Sequence, residues 1–287
     1  DLGCGRGEWL EFIKAKGWQG LGVDLDDDML QDCRALGLDV VTGDAVEFLQ
    51  SQPGQSRLLI TGVHIAEHIS FAQLQMLVTE ALRVLQPGGL LILETPNPEN
   101  ITVATSSFYI DPTHEKPIPA PLLSFVAEYH GFERVKVVRL QEPHDIAQNP
   151  EIKLTDVFSY VSPDYAIVAQ KNANSEAVPA MDRVFEQGYG ISLAQLAGQF
   201  DARIGVMLEK ISLLETVSSH QQNALERLTC ENTTLKVQLQ ELANEQQGVV
   251  RSSGKRANRW LLLQYALLRK HGFKQRWTAF LDKFRKH

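Results

Sequence analysis

The sequence opens on Asp1-Leu-Gly-Cys-Gly-Arg-Gly7, in which an acidic residue precedes three glycines at alternate positions. Such glycines are typical of a tight turn between a strand and a helix, because the turn uses positive φ and a Cβ would keep a ligand away from the backbone. The pattern therefore predicts a site where a nucleotide-like cofactor lies against bare backbone. The apolar strand expected before Asp1 is absent, so we expect the sequence to be a fragment.

Apolar runs at the spacing of alternating strands and helices follow this turn. Leu21–Asp24 and Leu38–Asp44 each end in an acidic residue, Arg57–Val63 is the next run, and Gln86–Gly89 opens a run that continues through Leu90–Thr95. This alternation predicts an α/β fold with a Rossmann-like, doubly wound, mostly parallel sheet. An acidic residue at the end of the second strand of such a sheet can hydrogen-bond ribose hydroxyls.

Four motifs occur in order within residues 1–170 and together resemble the class I S-adenosylmethionine-dependent methyltransferases. They are Asp1-x-Gly-x-Gly-x-Gly7, Gly22-Val-Asp24, Gly43-Asp-Ala45 and Leu82-Arg-Val-Leu-Gln-Pro-Gly-Gly89. A Rossmann dehydrogenase is the alternative, but its turn normally reads Gly-x-Gly-x-x-Gly. The resemblance implies an enzyme whose cofactor is S-adenosylmethionine. It also implies residues for each part of the cofactor: Asp1, Gly3, Gly5 and Gly7 for the methionine end, Asp24 for the ribose and Asp44 for the adenine amine.

Structural roles remain open for some of these residues. Asp24 could be a helix N-cap, although neighbouring aspartates would serve equally well. Asp44 could cap the helix predicted over Ala45–Gln50, contact adenine, or do both. Cys4 is interpreted as a small packing residue rather than a nucleophile.

Composition bounds the class of protein. The chain has 287 residues, 44% of them hydrophobic, which suits one methyltransferase domain and an extension. Three widely spaced cysteines indicate a reducing compartment, without a disulfide framework or a zinc site. No apolar run reaches 18 residues, so no transmembrane helix is predicted. The net charge of −7 is unevenly distributed, since residues 251–287 carry eleven basic residues and one acid.

We divide the chain into four parts. A methyltransferase domain over 1–171 is expected to end in an antiparallel pair of strands, Phe132–Leu140 and Tyr165–Gln170. A polar linker over 172–190 leads to a coiled coil over 191–250, and basic amphipathic helices follow over 251–287.

Heptads predict the coiled coil. With Leu193 at position d, most a and d positions are apolar over eight heptads, and Asn232 at an a position would fix the register. A rod of about 85 Å results. Attractive g–e′ pairs in a parallel arrangement join Lys210 to Glu215 and Glu231 to Lys236. Dimer and trimer both remain open, although Leu196 and Leu208 widen the apolar stripe and favour a trimer in the first half. A single helix folded onto the domain is the alternative.

The C-terminal segment predicts a docking element. Its aromatic residues lie on one helical face among basic residues, which suits a membrane surface or a protein groove better than nucleic acid. Those aromatics are Phe273, Trp277, Phe280 and Phe284. A helical hairpin hinged at Gly272 that packs on itself is the alternative.

Candidates for a catalytic base lie after the fourth and fifth strands, counting the absent strand before Asp1 as the first. Ligands bind at this edge of the sheet in open α/β folds. His64-Ile-Ala-Glu67-His68 follows the fourth strand, and His114 lies in a proline-rich stretch, Pro96–Pro119, that we expect to be irregular. We predict His114 as the base, with Glu67 and His68 either catalytic or closing the cofactor pocket. A metal site on His64 and His68 would lack an evident third ligand, so none is predicted.

Glu94-Thr-Pro-Asn-Pro-Glu-Asn100 and Phe108-Tyr-Ile-Asp-Pro-Thr-His114 resemble a narrower group, the bacterial methyltransferases that cap O-antigen polysaccharides. Members also carry a coiled coil and a docking C-terminal helix, and some add a kinase domain whose motifs this sequence lacks. The resemblance implies an enzyme that methylates a terminal sugar hydroxyl of a glycan acceptor. It also implies a homo-oligomer on the cytoplasmic side of the inner membrane, with a polysaccharide-polymerising glycosyltransferase or the membrane surface as partner of the C-terminal helices. A small-molecule O-methyltransferase and an inactive scaffold are the alternatives.

Overall fold

The structure, a computed structural model, describes residues 1–173 and 181–252, with side chains described as far as residue 246. A first compact unit comprises Asp1–Leu208, and a second begins at Glu209. Strands of the first unit are β1 (Leu21–Asp24), β2 (Asp39–Thr42), β3 (Arg57–Val63), β4 (Leu85–Pro96), β5 (Arg134–Leu140) and β6 (Asp164–Gln170). The α-helices before, between and after these strands are α1 (Glu8–Ala15), α2 (Asp27–Ala35), α3 (Ala45–Ser51), α4 (Phe71–Val84), α5 (Ile101–Thr105), α6 (Ala120–His130), α7 (Leu154–Ser159), α8 (Asp182–Glu186) and α9 (Leu193–Ser252).

The strands form two hydrogen-bonded groups that the start of the chain brings together. β1 pairs with β2, and the other group has the order β3-β4-β6-β5. Leu2 makes a parallel bridge to Val23 in β1 and another to Gly62 in β3, so the first residues lie between the two groups. The β1–β2 and β3–β4 pairs are parallel, but β6 runs antiparallel to both β4 and β5. The sheet is therefore mixed and not mostly parallel as predicted. The predicted antiparallel pair β5–β6 is present, and β6 is antiparallel to β4 as well.

Burial follows from the sequence pattern of each element. α4 buries Leu74, Leu77, Val78 and Ala81, which recur at helical spacing, and Ser70 and Gln73 close a capping box at its start. β6 is buried along almost its whole length, as expected for a strand with neighbours on both sides and helices on its faces.

The proline-rich stretch predicted to be irregular contains helical structure. It includes α5 and a 3₁₀ helix over Ser107–Ile110. Two buried asparagines connect it to the chain before β6. Asn97 Nδ2 donates to the Ser162 carbonyl at 2.8 Å, and Asn100 Nδ2 donates to the Val161 carbonyl at 2.7 Å. Without these bonds the polar groups would be buried unpaired, so they fix the path of the stretch across the domain.

A small separate core is formed by the segment that connects β5 to β6, together with the beginning of α9. Ile146, Ile152, Val157 and Val161 from the β5–β6 connection pack with Ile191 and Leu196. Leu196 is fully buried there, so it is not available to widen a coiled-coil stripe as the heptads suggested. The first compact unit continues to Leu208, and the methyltransferase domain predicted over 1–171 stays a prediction.

The part of α9 in the second unit has an exposed apolar stripe. Leu214, Leu225, Leu228, Leu235 and Leu242 are all more than half exposed. A helix of this kind is typical of a coiled-coil strand without its partner, and the coiled coil remains a prediction. The basic tail from residue 253 onward, including the predicted docking face, lies outside the described residues. Within the described part of the chain, no helix is both long enough and apolar enough to cross a bilayer.

Candidate active site

The opening glycines form the predicted turn, which leads into α1 with Gly7 at the helix N-cap. Gly3, Gly5 and Gly7 have φ of +67°, +51° and +85°, values that side chains rarely adopt. The backbone N–H groups of Gly3 and Cys4 donate to the Val23 carbonyl at 2.8 and 3.1 Å, which ties the turn to the end of β1.

Close packing beneath the turn explains one of these glycines. A Cβ on Gly7 would lie 2.7 Å from Leu38 Cδ1 and 2.9 Å from Cys33 Sγ. Cys4 and Cys33 are buried here, and burial raises the pKa of Cys4 to about 12. Cys4 is therefore an unreactive packing residue, as predicted.

Asp24 ends β1 beside the turn, and its carboxylate contacts the turn directly. Oδ2 accepts a hydrogen bond from the Gly5 N–H at 2.8 Å, and Oδ1 accepts one from the Asp26 N–H at 2.8 Å. Asp26, not Asp24, caps α2, which removes the N-cap alternative for Asp24. Each carboxylate oxygen has a further lone pair, so Asp24 can still accept bonds from a diol such as ribose.

The other predicted cofactor carboxylates have structural partners as well. Asp44 is the N-cap of α3, and its Oδ1 accepts from the N–H groups of Val46 and Glu47 at 2.8 and 3.0 Å. Asp1 Oδ1 accepts from the Thr61 hydroxyl at 2.6 Å. The contacts predicted for these two residues with adenine and with the methionine end stay predictions.

A hydrogen bond engages one ring nitrogen of His114, Nδ1, and leaves the other, Nε2, as a possible proton acceptor. Its Nδ1 lies 2.6 Å from the Phe108 carbonyl oxygen, which only accepts, so Nδ1 carries the proton. The ring lies between Phe108 and His68, at centroid distances of 4.5 and 4.7 Å. Nε2 of a neutral His114 is therefore an acceptor held in one orientation, which is the geometry a general base requires.

His68 is held in the same way by the proline-rich stretch. Its Nδ1 lies 2.9 Å from the Thr113 hydroxyl, whose own proton goes to Asp111 Oδ1 at 2.6 Å. The two hydrogen bonds from Thr113 lower the pKa of Asp111, so this carboxylate is ionised and only accepts. Because the Thr113 proton goes to Asp111, His68 Nδ1 donates to the Thr113 oxygen. The structure thus brings His68 and His114 together, although 46 positions of sequence separate them.

Glu67 is fully buried and positions a histidine that the sequence analysis set aside. Its Oε1 lies 2.9 Å from Nδ1 of His64, and its Oε2 accepts from the Thr95 hydroxyl at 2.9 Å. Both Glu67 oxygens are thus engaged inside the protein, where they orient His64, and the catalytic role predicted for Glu67 stays a prediction. His64 itself has φ of +53°, a rare value for a residue with a side chain and one that often marks functional positions.

Two more carboxylates meet His64 at this edge. Its Nε2 lies 4.0 Å from Glu94 Oε1, and His64, Glu94 and Asp164 offer ligand atoms within 4.8 Å of one another. Burial raises the pKa of both carboxyl groups, while hydrogen bonding and the charge of Glu67 raise that of His64. His64 and His68, for which no shared metal site was predicted, fall in different groups of potential ligands, since His68 lies with Glu67 and His114. The sequence marks Glu94 only as the first residue of a family motif and gives no signal at Asp164, so neither was predicted as a site residue.

A family model described as a methyltransferase domain matches residues 1–89. Among solved structures, a SAM-dependent methyltransferase from Archaeoglobus fulgidus is 32% identical, with a TM-score of 0.54 over 60% of this chain and 84% of that one. The chain belongs to the S-adenosylmethionine-dependent methyltransferases. The expected enzyme class and cofactor are thereby confirmed for the domain, and the dehydrogenase alternative is set aside.

Two curated relatives match shorter parts of this methyltransferase. A protein of Mycolicibacterium smegmatis named "Probable S-adenosylmethionine-dependent methyltransferase" is 28% identical over 135 residues, 46% of this chain and 51% of the relative. The ubiquinone biosynthesis O-methyltransferase of Methylococcus capsulatus is 32% identical over 103 residues, 34% of this chain and 42% of the relative. The chain therefore spans about half the length, or less, of these curated relatives.

Proposed function

We propose that this methyltransferase acts on a hydroxyl oxygen, with His114 as the general base. The observation that carries the proposal is the hydrogen bond from His114 Nδ1 to the Phe108 carbonyl, which leaves Nε2 free to take a proton. When bound, S-adenosylmethionine supplies an already electrophilic methyl group. The protein's own tasks are then to orient the acceptor and to remove its proton.

The residues present fit the cofactor. The turn offers backbone with positive φ at Gly3, Gly5 and Gly7, and a Cβ on Gly5 would meet only Met29 Sδ, at 4.0 Å. Beside it, Asp24 has lone pairs left for a ribose diol. Asp44 would contact the adenine amine through Oδ2, since Oδ1 accepts both capping bonds.

For the acceptor, we propose a terminal sugar hydroxyl of a bacterial surface polysaccharide, whose methylation caps chain growth. Support comes from the sequence of the proline-rich stretch, which resembles the O-antigen-capping group and carries His114. It also comes from α9, a helix of 60 residues for which an enzyme of small molecules has no evident use.

The proposed assembly uses α9 for oligomerisation and the basic C-terminal tail for docking. The exposed stripe of α9 would pair with other copies of the chain in a dimer or trimer. The basic tail would bind an anionic membrane surface, or a polysaccharide-polymerising glycosyltransferase, on the cytoplasmic side of the inner membrane. The length of the rod would then determine how far the glycan grows before it is capped.

A small-molecule O-methyltransferase is the second candidate. The observation that favours it is the similarity to the Methylococcus capsulatus enzyme, which acts in ubiquinone biosynthesis according to its name. Its acceptor would reach the same edge of the sheet, so the two candidates differ in acceptor and not in the base.

One assay separates the candidates. The full chain is incubated with methyl-labelled S-adenosylmethionine and either a short polysaccharide primer or a small phenol. We expect label in the primer, and its loss in the His114→Asn variant. Label in the phenol alone would support the second candidate. Cofactor binding without transfer to either acceptor would leave only the inactive scaffold.

A deletion tests the role of the rod. Removing residues 211–224 takes out two whole heptads beyond the first compact unit, preserves the register and shortens the helix by about 21 Å. Glycan chains should become shorter in cells that carry this variant. Unchanged chain length in a variant that is still oligomeric and membrane-bound would reduce the rod to a tether.

A further inference from the structure

We propose that His64, Glu94 and Asp164 form a binding site for a divalent transition cation such as Mn²⁺ or Zn²⁺. His64 follows β3 directly, Glu94 lies near the carboxyl end of β4, and Asp164 begins the antiparallel β6, so all three lie at one edge of the sheet. Each offers one ligand atom, and these atoms lie within 4.8 Å of one another. An ion at their centre would need only small side-chain movements to reach ligand distances near 2.1 Å.

The proton on His64 is placed as a metal ligand requires. Nδ1 faces Oε1 of the buried Glu67 at 2.9 Å, and the other Glu67 oxygen is occupied by Thr95. Nδ1–H therefore donates to the carboxylate and leaves the Nε2 lone pair pointing toward Glu94. Metal-binding histidines characteristically donate their second ring N–H to a carboxylate in this way, which fixes the tautomer and the ring orientation.

Charge also favours a cation here. Glu94 and Asp164 are partly buried carboxyl groups, and His64 Nε2 lies 4.0 Å from Glu94 Oε1. Among the described residues, Glu94 forms an ion pair with His64 alone and Asp164 forms none. The alternative is that a protonated His64 neutralises the two carboxylates without any ion, and the experiment below separates these cases.

The second group of potential ligands at this edge is less suitable. It consists of Glu67, His68 and His114. Glu67 already accepts bonds from two neighbours, and changing its orientation would release His64. We therefore assign the ion to the first group and keep His114 as the base.

The ligand set indicates both the class of ion and the ligands it would still take. One imidazole nitrogen and two carboxylate oxygens suit borderline first-row divalent ions. Three protein ligands leave coordination positions open for water or for an acceptor hydroxyl, whose pKa a bound ion would lower. This contribution to acceptor binding rests on the function proposed above, whereas the metal site itself does not.

Binding is tested on the full chain without cofactor or acceptor. The protein is treated with a chelator, dialysed and titrated with MnCl₂ and ZnCl₂, with calorimetry for both ions and electron paramagnetic resonance for Mn²⁺. We expect one ion per chain. Glu94→Gln and Asp164→Asn should each weaken binding by at least about tenfold, and Glu67→Gln by about ten- to a hundredfold through His64. Glu115→Gln, which removes an exposed carboxylate nearby, should bind as the unchanged chain does.

Two results would overturn the site. One is the absence of binding up to millimolar metal, and the other is binding that Glu94→Gln and Asp164→Asn leave intact in variants with unchanged circular dichroism. The role at the acceptor has its own test. Methyl transfer should fall in the presence of EDTA and return with added Mn²⁺, and transfer insensitive to EDTA would refute that role while leaving the methyltransferase function intact.

Discussion

The proposed cofactor side and the proposed acceptor side of the candidate site are built by different means. On the cofactor side, a seven-residue turn of bare backbone meets Asp24, and Gly5 and Asp24 are joined by one 2.8 Å hydrogen bond. On the proposed acceptor side, the groups are side chains from the segment after β3, from β4, from the proline-rich stretch and from β6. His68 and His114, and His64 and Asp164, meet only because the chain folds.

Because of this difference, the two sides should tolerate different kinds of substitution. The cofactor side depends on backbone conformation, so a single Cβ at Gly7 would disturb it. The acceptor side depends on which proton each side chain holds, and those protons are set by fixed acceptors such as the Phe108 carbonyl and Glu67. Variants that keep shape but change proton placement should therefore damage one side alone.

The largest expected effect is on the acceptor side. His114→Asn should keep a donor for the Phe108 carbonyl but remove the base, so the rate of methyl transfer should fall by about a hundred- to ten-thousandfold. Affinity for S-adenosylmethionine should be unchanged. Turnover and calorimetry measure the two effects separately.

His144→Asn is the matched control, because the His144 side chain is 98% exposed. It should turn over at the rate of the unchanged chain. Equal activity in the His114→Asn variant would show that another group is the base, and Nε2 of His68 would be the next candidate.

The reactivity of the three cysteines reports on how tightly the turn on the cofactor side is packed. Cys4 and Cys33 are buried beneath the turn, whereas Cys230 is exposed on α9. Because burial raises the pKa of Cys4 from 9.0 to about 12, its thiolate fraction near pH 8 is lower by roughly a thousandfold. Labelling with a thiol reagent should show one fast thiol, which Cys230→Ser removes, and two slow ones that react on denaturation. Fast labelling of Cys4 would mean that the turn opens in solution.

The same contrast decided what could be predicted from the sequence. The turn, Asp24 and the bounds of β1 and β3 follow from residues close together in the chain, and the structure has them where the motifs put them. Glu94 and Asp164 could not be assigned, since nothing near either residue signals its neighbours across the sheet. The small core with Leu196 was missed for a related reason. Ile146, Ile152 and Val157 follow no helix or strand period. The heptad pattern therefore assigned Leu196 to the coiled coil, although the first compact unit buries it.

Asp44 offers a smaller test, because it can act as a cap and as a cofactor ligand. Asp44→Ala should lower the free energy of unfolding by about 1 kcal/mol, whereas Asp44→Asn retains a capping oxygen and should cost little. Chemical denaturation measures this difference. If both variants weaken cofactor binding equally, the adenine contact is separate from capping; if only the alanine variant does, Asp44 acts through α3 alone.

Calorimetric titration of the full chain with S-adenosylmethionine, and in parallel with NAD, tests the central claim most directly. We predict binding of S-adenosylmethionine and none of NAD. Asp24→Ala should weaken binding by about 3 kcal/mol, or roughly a hundredfold, through the loss of charged hydrogen bonds. Asp39→Ala, at the exposed start of β2, should bind as the unchanged chain does. Tight binding of NAD without binding of S-adenosylmethionine, or an Asp24→Ala variant of full affinity, would contradict the account.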